Sequence, residues 1–325
     1  MSENSKPDLS KMSTPKKIVM AVRAYSFPAS VIPIIFGSVL ALPELASAGK
    51  SFNFLLFFLT LIGAVLVHVG TNVVNDIYDY KTGMDKADDK LGIPHGGSMV
   101  LSMGILDIPM MKKIAVISLT IATLIGVYLY TQVGDWILYL TIFGLLSAIF
   151  YTATPLALKY KALGDIQVIL SFGAGMTLGA YIVQTGQFSW MPLIFSIPLG
   201  LLIDAILHSN NVRDINFDGK FGIKTLPIII GEKPSIIFYW ILLIGAYLSV
   251  VVFVVLNLIS PFALLSLITF PIALKLMKMI GELPNEPNAR FEMGSKHIMM
   301  TAQLNMQFGL TLIIGLLIAY FFFSN

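Results

Sequence analysis

Long apolar stretches alternate with short polar ones along nearly the whole chain. Nine of them, each of about 20 residues, are long and apolar enough to cross the hydrocarbon core of a bilayer as helices. They lie near residues 18–42, 54–75, 108–131, 136–152, 165–184, 190–210, 235–257, 261–280 and 304–323. The runs are continuous and do not alternate residue by residue, which favours helices over barrel strands. The pattern predicts an all-α, polytopic membrane protein with nine transmembrane helices.

The composition agrees with a membrane protein and indicates its orientation. Apolar residues make up 56% of the chain, and the charged share of 12% is about half that of an average soluble domain. With a cytoplasmic N-terminus, the outer loops fall near 43–53, 132–135, 185–189 and 258–260, and of the 21 Lys and Arg residues only Lys50 lies in them. The positive-inside rule therefore predicts a cytoplasmic N-terminus and a C-terminus on the opposite side.

The sequence at the N-terminus and along the rest of the chain predicts a single domain. The first 17 residues are polar, and the apolar stretch after them lacks a convincing cleavage site, so we expect a retained first helix rather than a signal peptide. No soluble domain or strict repeat is visible, which predicts a single transmembrane domain over 1–325 with a polar cytoplasmic segment at 1–17. The absence of cysteine leaves carboxylates, amides and four histidines as possible metal ligands.

The first polar cluster lies at the cytoplasmic end of the second predicted helix. Its amides and carboxylates are spaced three, four and seven residues apart, so they share one helix face. They are Asn72, Asn75, Asp76 and Asp79, with Asp85 just beyond Gly83. Carboxylates so placed repel one another unless a cation lies between them, and an all-oxygen set suits Mg²⁺ with substrate phosphates. Taken alone, this cluster is equally consistent with a solvated helix end.

A second cluster ends the sixth predicted helix on the same side of the membrane. Its amides and carboxylates are Asn210, Asn211, Asp214 and Asp218, and basic residues lie beside them at Arg213 and Lys224. Because both helices end at one face, the two clusters can meet across a single cavity. Cations beside the acids would neutralise a diphosphate, and the alternative role of Lys224 is that of a topological anchor.

These motifs resemble those of the UbiA superfamily of intramembrane prenyltransferases. The likeness rests on the NDxxDxxxGxD pattern at 75–85, the NNxRDxxxDxxxGxKTL pattern at 210–226, and the segments 151–165 and 179–186. Within the superfamily the chain is most similar to the 1,4-dihydroxy-2-naphthoate branch of menaquinone biosynthesis. Gly83 stands where the 4-hydroxybenzoate branch usually has an acid, which disfavours that acceptor.

The resemblance implies a fold, a reaction and a set of partners. Nine helices would surround a central cavity open to the cytoplasmic side, where a polyprenyl diphosphate is bound through Mg²⁺, with Mn²⁺ as a possible substitute. The diphosphate leaves, and an aromatic acceptor attacks the allylic cation. The expected partners are polyprenyl diphosphate, an aromatic acceptor and membrane lipid, with no nucleic acid and no obligatory protein partner.

The resemblance also implies roles for individual residues. The implied metal ligands are Asp76, Asp79, Asp85, Asp214 and Asp218. The implied substrate-binding residues are Asn72, Asn75, Lys159, Asn210, Asn211, Arg213 and Lys224.

Four further residues are candidates on weaker grounds. Asp204 lies inside the sixth predicted helix with His208 one turn on, so the pair predicts either a base for the acceptor hydroxyl or an interhelical hydrogen bond. Tyr151 is a candidate to face the allylic cation through its ring. Asp165 begins the fifth helix, where it either caps that helix or contacts substrate.

Two alternatives stay open from the sequence. One is a UbiA-type enzyme with another acceptor, such as 4-hydroxybenzoate or a glycerophosphate precursor of ether lipids. The other is a cation or metabolite transporter, because intramembrane carboxylates also line ion paths. Transport predicts acids near the bilayer midplane, whereas nearly all the acids here lie at one face and only Asp204 suits a midplane site.

Overall fold

Helices make up the fold of this protein, for which a computed structural model describes residues 12–83 and 97–323. Those residues contain no β-strand, only an isolated bridge between Lys161 and Lys224. The principal helices are α1 Ala24–Ser47, α2 Phe54–Lys81, α3 Ile108–Val133, α4 Asp135–Phe150, α5 Gly164–Thr185, α6 Ile197–Asp218, α7 Glu232–Val255, α8 Pro261–Gly281 and α9 Pro287–Phe323. Shorter helices cover Thr14–Ala21, Met191–Phe195 and Leu226–Ile230.

Seven of the described helices are long and apolar enough to cross a membrane, namely α1, α2, α3, α5, α7, α8 and α9. Helix α4 has only 16 residues, and α6 is less apolar because it carries Asp204, Arg213, Asp214 and Asp218. The prediction of an all-helical, polytopic membrane protein is confirmed. The count of nine crossings stays a prediction.

Local sequence signals set several helix ends. The side chain of Asn53 accepts a hydrogen bond from the backbone N–H of Leu56 at 3.1 Å and caps α2. Asp107 caps α3 in the same way, with 2.9 Å to the N–H of Met110. Gly134, at a φ of 111°, is the single residue between α3 and α4, so these helices form a tight hairpin.

Close packing of α5 against α6 depends on two glycines. A Cβ atom on Gly173 would lie 2.7 Å from the Cα of Gly200, closer than real side chains come. Small residues let membrane helices approach until their backbones touch. The contact fixes the distance between α5 and α6, both of which border the site.

A cavity of about 640 Å³ occupies the middle of the bundle. Residues of α1 to α6 and of α9 line it, together with the α4–α5 connection and the segment that follows residue 96. Among the described residues, α7 and α8 contribute none of the lining. They pack behind it, α7 against α6 and α8 against α9, in an apolar core that also includes α1.

Candidate active site

Both polar clusters line the same cavity. From the first cluster the lining includes Asn72, Asn75 and Asp79 of α2, and from the second Asn210, Asn211, Arg213, Asp214 and Asp218 of α6. Tyr151 and Lys159, from the end of α4 and the connection to α5, complete the predicted residues at the lining. Asp85 lies outside the described residues. Two distant stretches of the chain thus meet across one cavity, as their common side of the membrane predicts.

Asp76 is buried beside the lining and is neutralised by Arg23. Its carboxylate accepts hydrogen bonds from the Arg23 guanidinium, the Ser98 hydroxyl and, at 3.3 Å, the Ser98 backbone N–H. Arg23 immediately precedes α1 and has a left-handed backbone, with φ at 54°. A non-glycine residue rarely holds that conformation unless its surroundings require it, and such residues concentrate at functional sites.

Asp79 accepts three side-chain hydrogen bonds. The donors are Asn75 Nδ2 at 2.7 Å, Lys159 Nζ at 2.8 Å and the Tyr160 hydroxyl at 2.5 Å. Asn75 is one helical turn before Asp79, whereas Lys159 and Tyr160 come from the α4–α5 connection. The backbone N–H of Lys159 donates to the carbonyl of Tyr151 at 2.8 Å, which holds that connection in place.

The Lys159 ammonium stays charged in this site. Burial lowers the pKa of Lys159, but Asp79, Tyr151 and Asp218 together raise it by more, so the pKa lies above its usual value. Asp218 on α6 also acts on Lys159, which places this cation between the two clusters.

Arg213 organises the second cluster. Its Nε and Nη2 atoms donate to the two oxygens of Asp214, each at 2.6 Å, in a bidentate pair. Nη2 also donates to Asn210 Oδ1 at 2.8 Å, and the Phe291 ring of α9 lies 4.9 Å from the guanidinium carbon. Nη1 donates to the Ser295 hydroxyl at 3.2 Å, so Arg213 joins α6 to α9.

Arg290 of α9 supports this end of α6 from behind. Its guanidinium donates to the carbonyls of Val212 at 2.8 Å and Arg213 at 3.0 Å, and pairs with Glu232 of α7 at 2.7 Å. Hydrogen bonds from a buried cation to backbone carbonyls hold the α6 segment that carries Arg213 and Asp214.

The acids are not gathered into a ready metal site. Among the described residues, no three His, Asp or Glu side chains converge as ligands. Basic residues account for this arrangement, since Arg23 pairs with Asp76, Lys159 with Asp79 and Arg213 with Asp214. The oxygen donors, carboxylates and amides from two helices at one cavity, are those that Mg²⁺ prefers, and substrate phosphates usually complete its coordination.

Three predicted residues form a separate buried group behind the cavity. His208 Nδ1 lies 3.0 Å from Asp165 Oδ1, and His208 Nε2 donates to the Ser235 carbonyl at 3.0 Å. Asp204 lies within hydrogen-bonding reach of Asp165, and no other described residue donates to its oxygens. None of the three predicted residues is among the described lining of the cavity, and Asp165 lies in the first turn of α5, where its described side-chain partner is His208. Asp204 and His208 thus lie off the described lining, and their role as a base for the acceptor hydroxyl stays a prediction.

Lys224 also lies off the cavity lining. Its side chain is exposed, while its backbone N–H donates to the carbonyl of Tyr160 at 3.3 Å. The contact joins the segment after α6 to the α4–α5 connection. The side chain is thus not positioned, in the described structure, to hold a diphosphate inside the cavity.

Several residues that the structure places in the site are not among the site residues predicted from the sequence. Arg23, Ser98, Tyr160 and Arg290 contact the acids or their helices only through tertiary packing. From the sequence alone, the positive-inside rule already accounts for Arg23 and Arg290 as basic residues at cytoplasmic helix ends. For Arg23 the available signal was its position directly before an apolar helix, and for Tyr160 it was the family-like segment 151–165; neither signal specifies a partner.

Comparisons with known proteins agree with this geometry. A family model described as "UbiA prenyltransferase family" matches residues 30–299. The 1,4-dihydroxy-2-naphthoate octaprenyltransferase of Bacillus subtilis (strain 168) is 31% identical over 299 residues, covering 92% of this chain and 91% of that protein. UbiA prenyltransferase domain-containing protein 1 of Xenopus tropicalis is 33% identical over 305 residues, covering 93% of this chain and 81% of that protein.

A solved structure shares the fold. The structure of a UbiA homolog from Archaeoglobus fulgidus bound to GPP and Mg²⁺ superposes with a TM-score of 0.60 at 14% identity. The superposition covers 92% of this chain and 99% of that one. Sequence family, fold and paired acid clusters all agree, and the chain belongs to the UbiA prenyltransferase family as an integral membrane prenyltransferase.

Proposed function

We propose that this enzyme transfers a polyprenyl group from its diphosphate to 1,4-dihydroxy-2-naphthoate, with loss of CO₂, in menaquinone biosynthesis. The observation that carries the proposal is the meeting of two acid and amide clusters, with Arg213 and Lys159 among them, at the end of one cavity. The naphthoate ring is suggested by the Bacillus subtilis relative. The Archaeoglobus fulgidus homolog bound to GPP and Mg²⁺ supports a prenyl diphosphate and a divalent cation.

The polar end of the cavity suits the diphosphate. Asp76, Asp79, Asp214 and Asp218 would hold Mg²⁺, or Mn²⁺ in its place, and this cation would neutralise charge on the departing diphosphate. Arg213 and Lys159 lie on the lining and add two fixed positive charges there. Cations positioned before the reaction stabilise the leaving group without a later rearrangement of solvent.

The aliphatic part of the cavity suits the isoprenoid tail and protects the reactive carbon. Its walls are largely aliphatic, with Ile34, Val67, Leu140, Val183 and Ile203 among the lining residues. Aliphatic walls exclude water, which would otherwise quench an allylic cation. The Tyr151 ring, also on the lining, is our candidate to stabilise that cation through its π face.

The proposed reaction balances without an oxidant or reductant. The allylic C–O bond breaks, and its electron pair leaves with diphosphate. A ring carbon of the acceptor supplies the pair for the new C–C bond, and the carboxylate leaves as CO₂, which returns a pair to the ring. The products are a prenylated naphthoquinol, CO₂ and diphosphate.

A competition assay tests the proposal. Purified protein in detergent is given geranylgeranyl diphosphate, MgCl₂ and equal amounts of 1,4-dihydroxy-2-naphthoate and 4-hydroxybenzoate under anaerobic conditions, and products are identified by mass spectrometry. We expect a prenylated, decarboxylated naphthoquinol that is lost with EDTA and restored by excess Mg²⁺. A prenylated hydroxybenzoate, or transfer only to a glycerophosphate acceptor in a parallel tube, would replace the naphthoate assignment.

A further inference from the structure

Asn305 on α9 is a buried amide at the cavity whose side chain makes no hydrogen bond within the described part of the protein. The residue is fully buried and is among those that line the cavity. Neither its Nδ2 nor its Oδ1 atom has a hydrogen-bond partner among the described residues. A buried polar group without a hydrogen bond is destabilising, so an apolar side chain would be more stable here.

The surroundings of Asn305 do not explain the amide. Its lining neighbours on α9, Ile298, Met299 and Ala302, carry no side-chain donor and no acceptor stronger than the Met299 thioether sulfur. Ser295, which accepts from Arg213, is ten residues earlier on the same helix. At about 1.5 Å of rise per residue, Asn305 lies about 15 Å further along the helix axis than Ser295, beyond the diphosphate-binding end.

Two more unpaired polar atoms lie on the cavity wall formed by α5. Gln167 Nε2 donates to the Ser147 carbonyl at 2.7 Å, which leaves Gln167 Oε1 without a donor. Ser171, one turn on, lies in a π-helical turn, and its hydroxyl is also unpaired among the described residues. Helices α5 and α9 both pack against α6, so these groups and Asn305 flank the same helix. Among the described residues, the cavity thus has unpaired hydrogen-bonding groups on two walls.

We propose that Asn305 determines acceptor specificity by binding a hydroxyl group of the aromatic ring; this inference rests on the function proposed above. An isoprenoid tail has no hydrogen-bonding atoms, and the diphosphate belongs at the other end of the cavity. The acceptor ring is the remaining substrate with polar groups. A carboxamide presents both a donor and an acceptor, which matches a hydroxyl that donates one hydrogen bond and accepts another.

Kinetics of an Asn305→Leu variant test the proposal. Leu keeps the approximate size of the side chain and removes both hydrogen-bonding atoms. We expect the KM for 1,4-dihydroxy-2-naphthoate to rise about tenfold, because one or two hydrogen bonds are lost, while the KM for geranylgeranyl diphosphate changes less than twofold. Gln303→Leu is the matched control, since it makes the same chemical change at an exposed position on the same helix, off the cavity lining, and should leave both constants unchanged.

Inhibition by ring analogues separates recognition from a structural role. The inhibition constants of 1-hydroxy-2-naphthoate and 4-hydroxy-2-naphthoate are measured against wild type and Asn305→Leu. We expect the wild type to bind one analogue about tenfold more weakly than the other, and the variant to lose that difference. A variant that is merely destabilised would keep the difference. If Asn305→Leu cannot be purified, Asn305→Ser is used with the same readouts, and an intermediate rise in acceptor KM is expected.

The outcomes distinguish this inference from the proposed function. If wild type prenylates the naphthoate and Asn305→Leu leaves its KM and the analogue preference unchanged, the role of Asn305 is overturned while the proposed function stands. Equal changes in donor and acceptor KM would also overturn it. If the wild type prenylates 4-hydroxybenzoate instead, the naphthoate assignment fails and the same acceptor-KM comparison on that ring decides the role of Asn305. If it prenylates no ring, both proposals fail.

Discussion

Three cations and four carboxylates share the polar end of the cavity. Arg23, Lys159 and Arg213 each neutralise one acid, and the pairs lie within hydrogen-bonding distance. Buried charges are stable only when they are paired, so these contacts keep the acids in place before substrate binds. A diphosphate and a divalent cation bring charges of both signs, and we expect the same side chains to exchange partners when they bind.

Removal of one carboxylate from either cluster should stop turnover without unfolding the protein. For Asp79→Asn and for Asp214→Asn we expect kcat to fall at least about 100-fold, since a metal ligand and a fixed charge are lost. Product formation and the thermal unfolding temperature in detergent are measured together. Asp135→Asn is the control, because it makes the same change at an exposed residue that starts α4. Full activity in both cavity variants would contradict the two-cluster site.

Lys159 and Lys224 have the same side chain at different distances from the cavity, so a comparison of the two tests whether a lysine must lie on the lining to bind the diphosphate. Lys159 lies on the lining and contacts Asp79, whereas the Lys224 side chain is exposed away from the cavity. Lys159→Ala should raise the KM for the prenyl diphosphate about tenfold or more, while Lys224→Ala should change it less than twofold. Steady-state kinetics with the donor as the varied substrate measure both. An equal effect of the two substitutions would show that Lys224 reaches the diphosphate when substrate is bound.

At the scale of helices, the site depends on how closely α5 and α6 approach. Gly173 and Gly200 allow backbone contact at this crossing, and α6 carries the second acid cluster a few turns further on. Arg290 of α9 donates to backbone carbonyls in the same part of α6 and also pairs with Glu232 of α7. The position of Asp214 therefore depends on packing at both ends of the helix.

A single methyl group at the α5–α6 crossing should weaken the protein. Gly173→Ala places a carbon 2.7 Å from the Gly200 Cα, and we expect a loss of about 1–3 kcal/mol in the free energy of unfolding, with lower activity. Thermal unfolding of purified protein measures the change. Gly144→Ala on α4 is the control for the unfolding temperature, since no atom outside its own helix backbone and chain neighbours lies within 4 Å of the added carbon. Equal unfolding temperatures for both variants and wild type would show that the crossing adapts freely.

At the scale of the whole molecule, the helices divide into those that line the cavity and those that support it. Helices α7 and α8 contribute no lining among the described residues, and both expose large apolar side chains such as Ile241, Leu248 and Ile268. A surface of this kind is covered by lipid in a membrane protein. The distribution of basic residues along the chain predicts which end of this bundle faces the cytoplasm.

Cysteine labelling tests that orientation directly, because the chain has no native cysteine. Lys50 lies in the α1–α2 connection and Lys233 at the start of α7, and both are exposed. A membrane-impermeant maleimide should label Lys50→Cys in intact cells and Lys233→Cys only after the membrane is opened. The reverse pattern would place the polar end of the cavity outside the cell.

Helix type and the approximate helix positions could be predicted from the sequence alone, because the bilayer fixes the length and polarity that a crossing needs. Helix α9 shows the limit of that signal: it begins at Pro287, well before the predicted apolar stretch at 304–323. Its first turns are polar, yet they are helical because they pack against α6 through Arg290 and Ser295. Hydropathy does not detect helix that is stabilised by tertiary contacts.

The sequence by itself determined that the chain is a helical membrane protein and that two acid clusters end helices on one side of it. Both follow from local chemistry, since hydrophobic length and spacing along one helix need no knowledge of neighbours. Only the tertiary structure decided which acid pairs with which cation, that Asp204 and His208 lie off the cavity lining, and that Asn305 lies at the cavity with no hydrogen-bond partner among the described residues. These depend on the distances between helices far apart in the chain, which close packing fixes and no local pattern specifies.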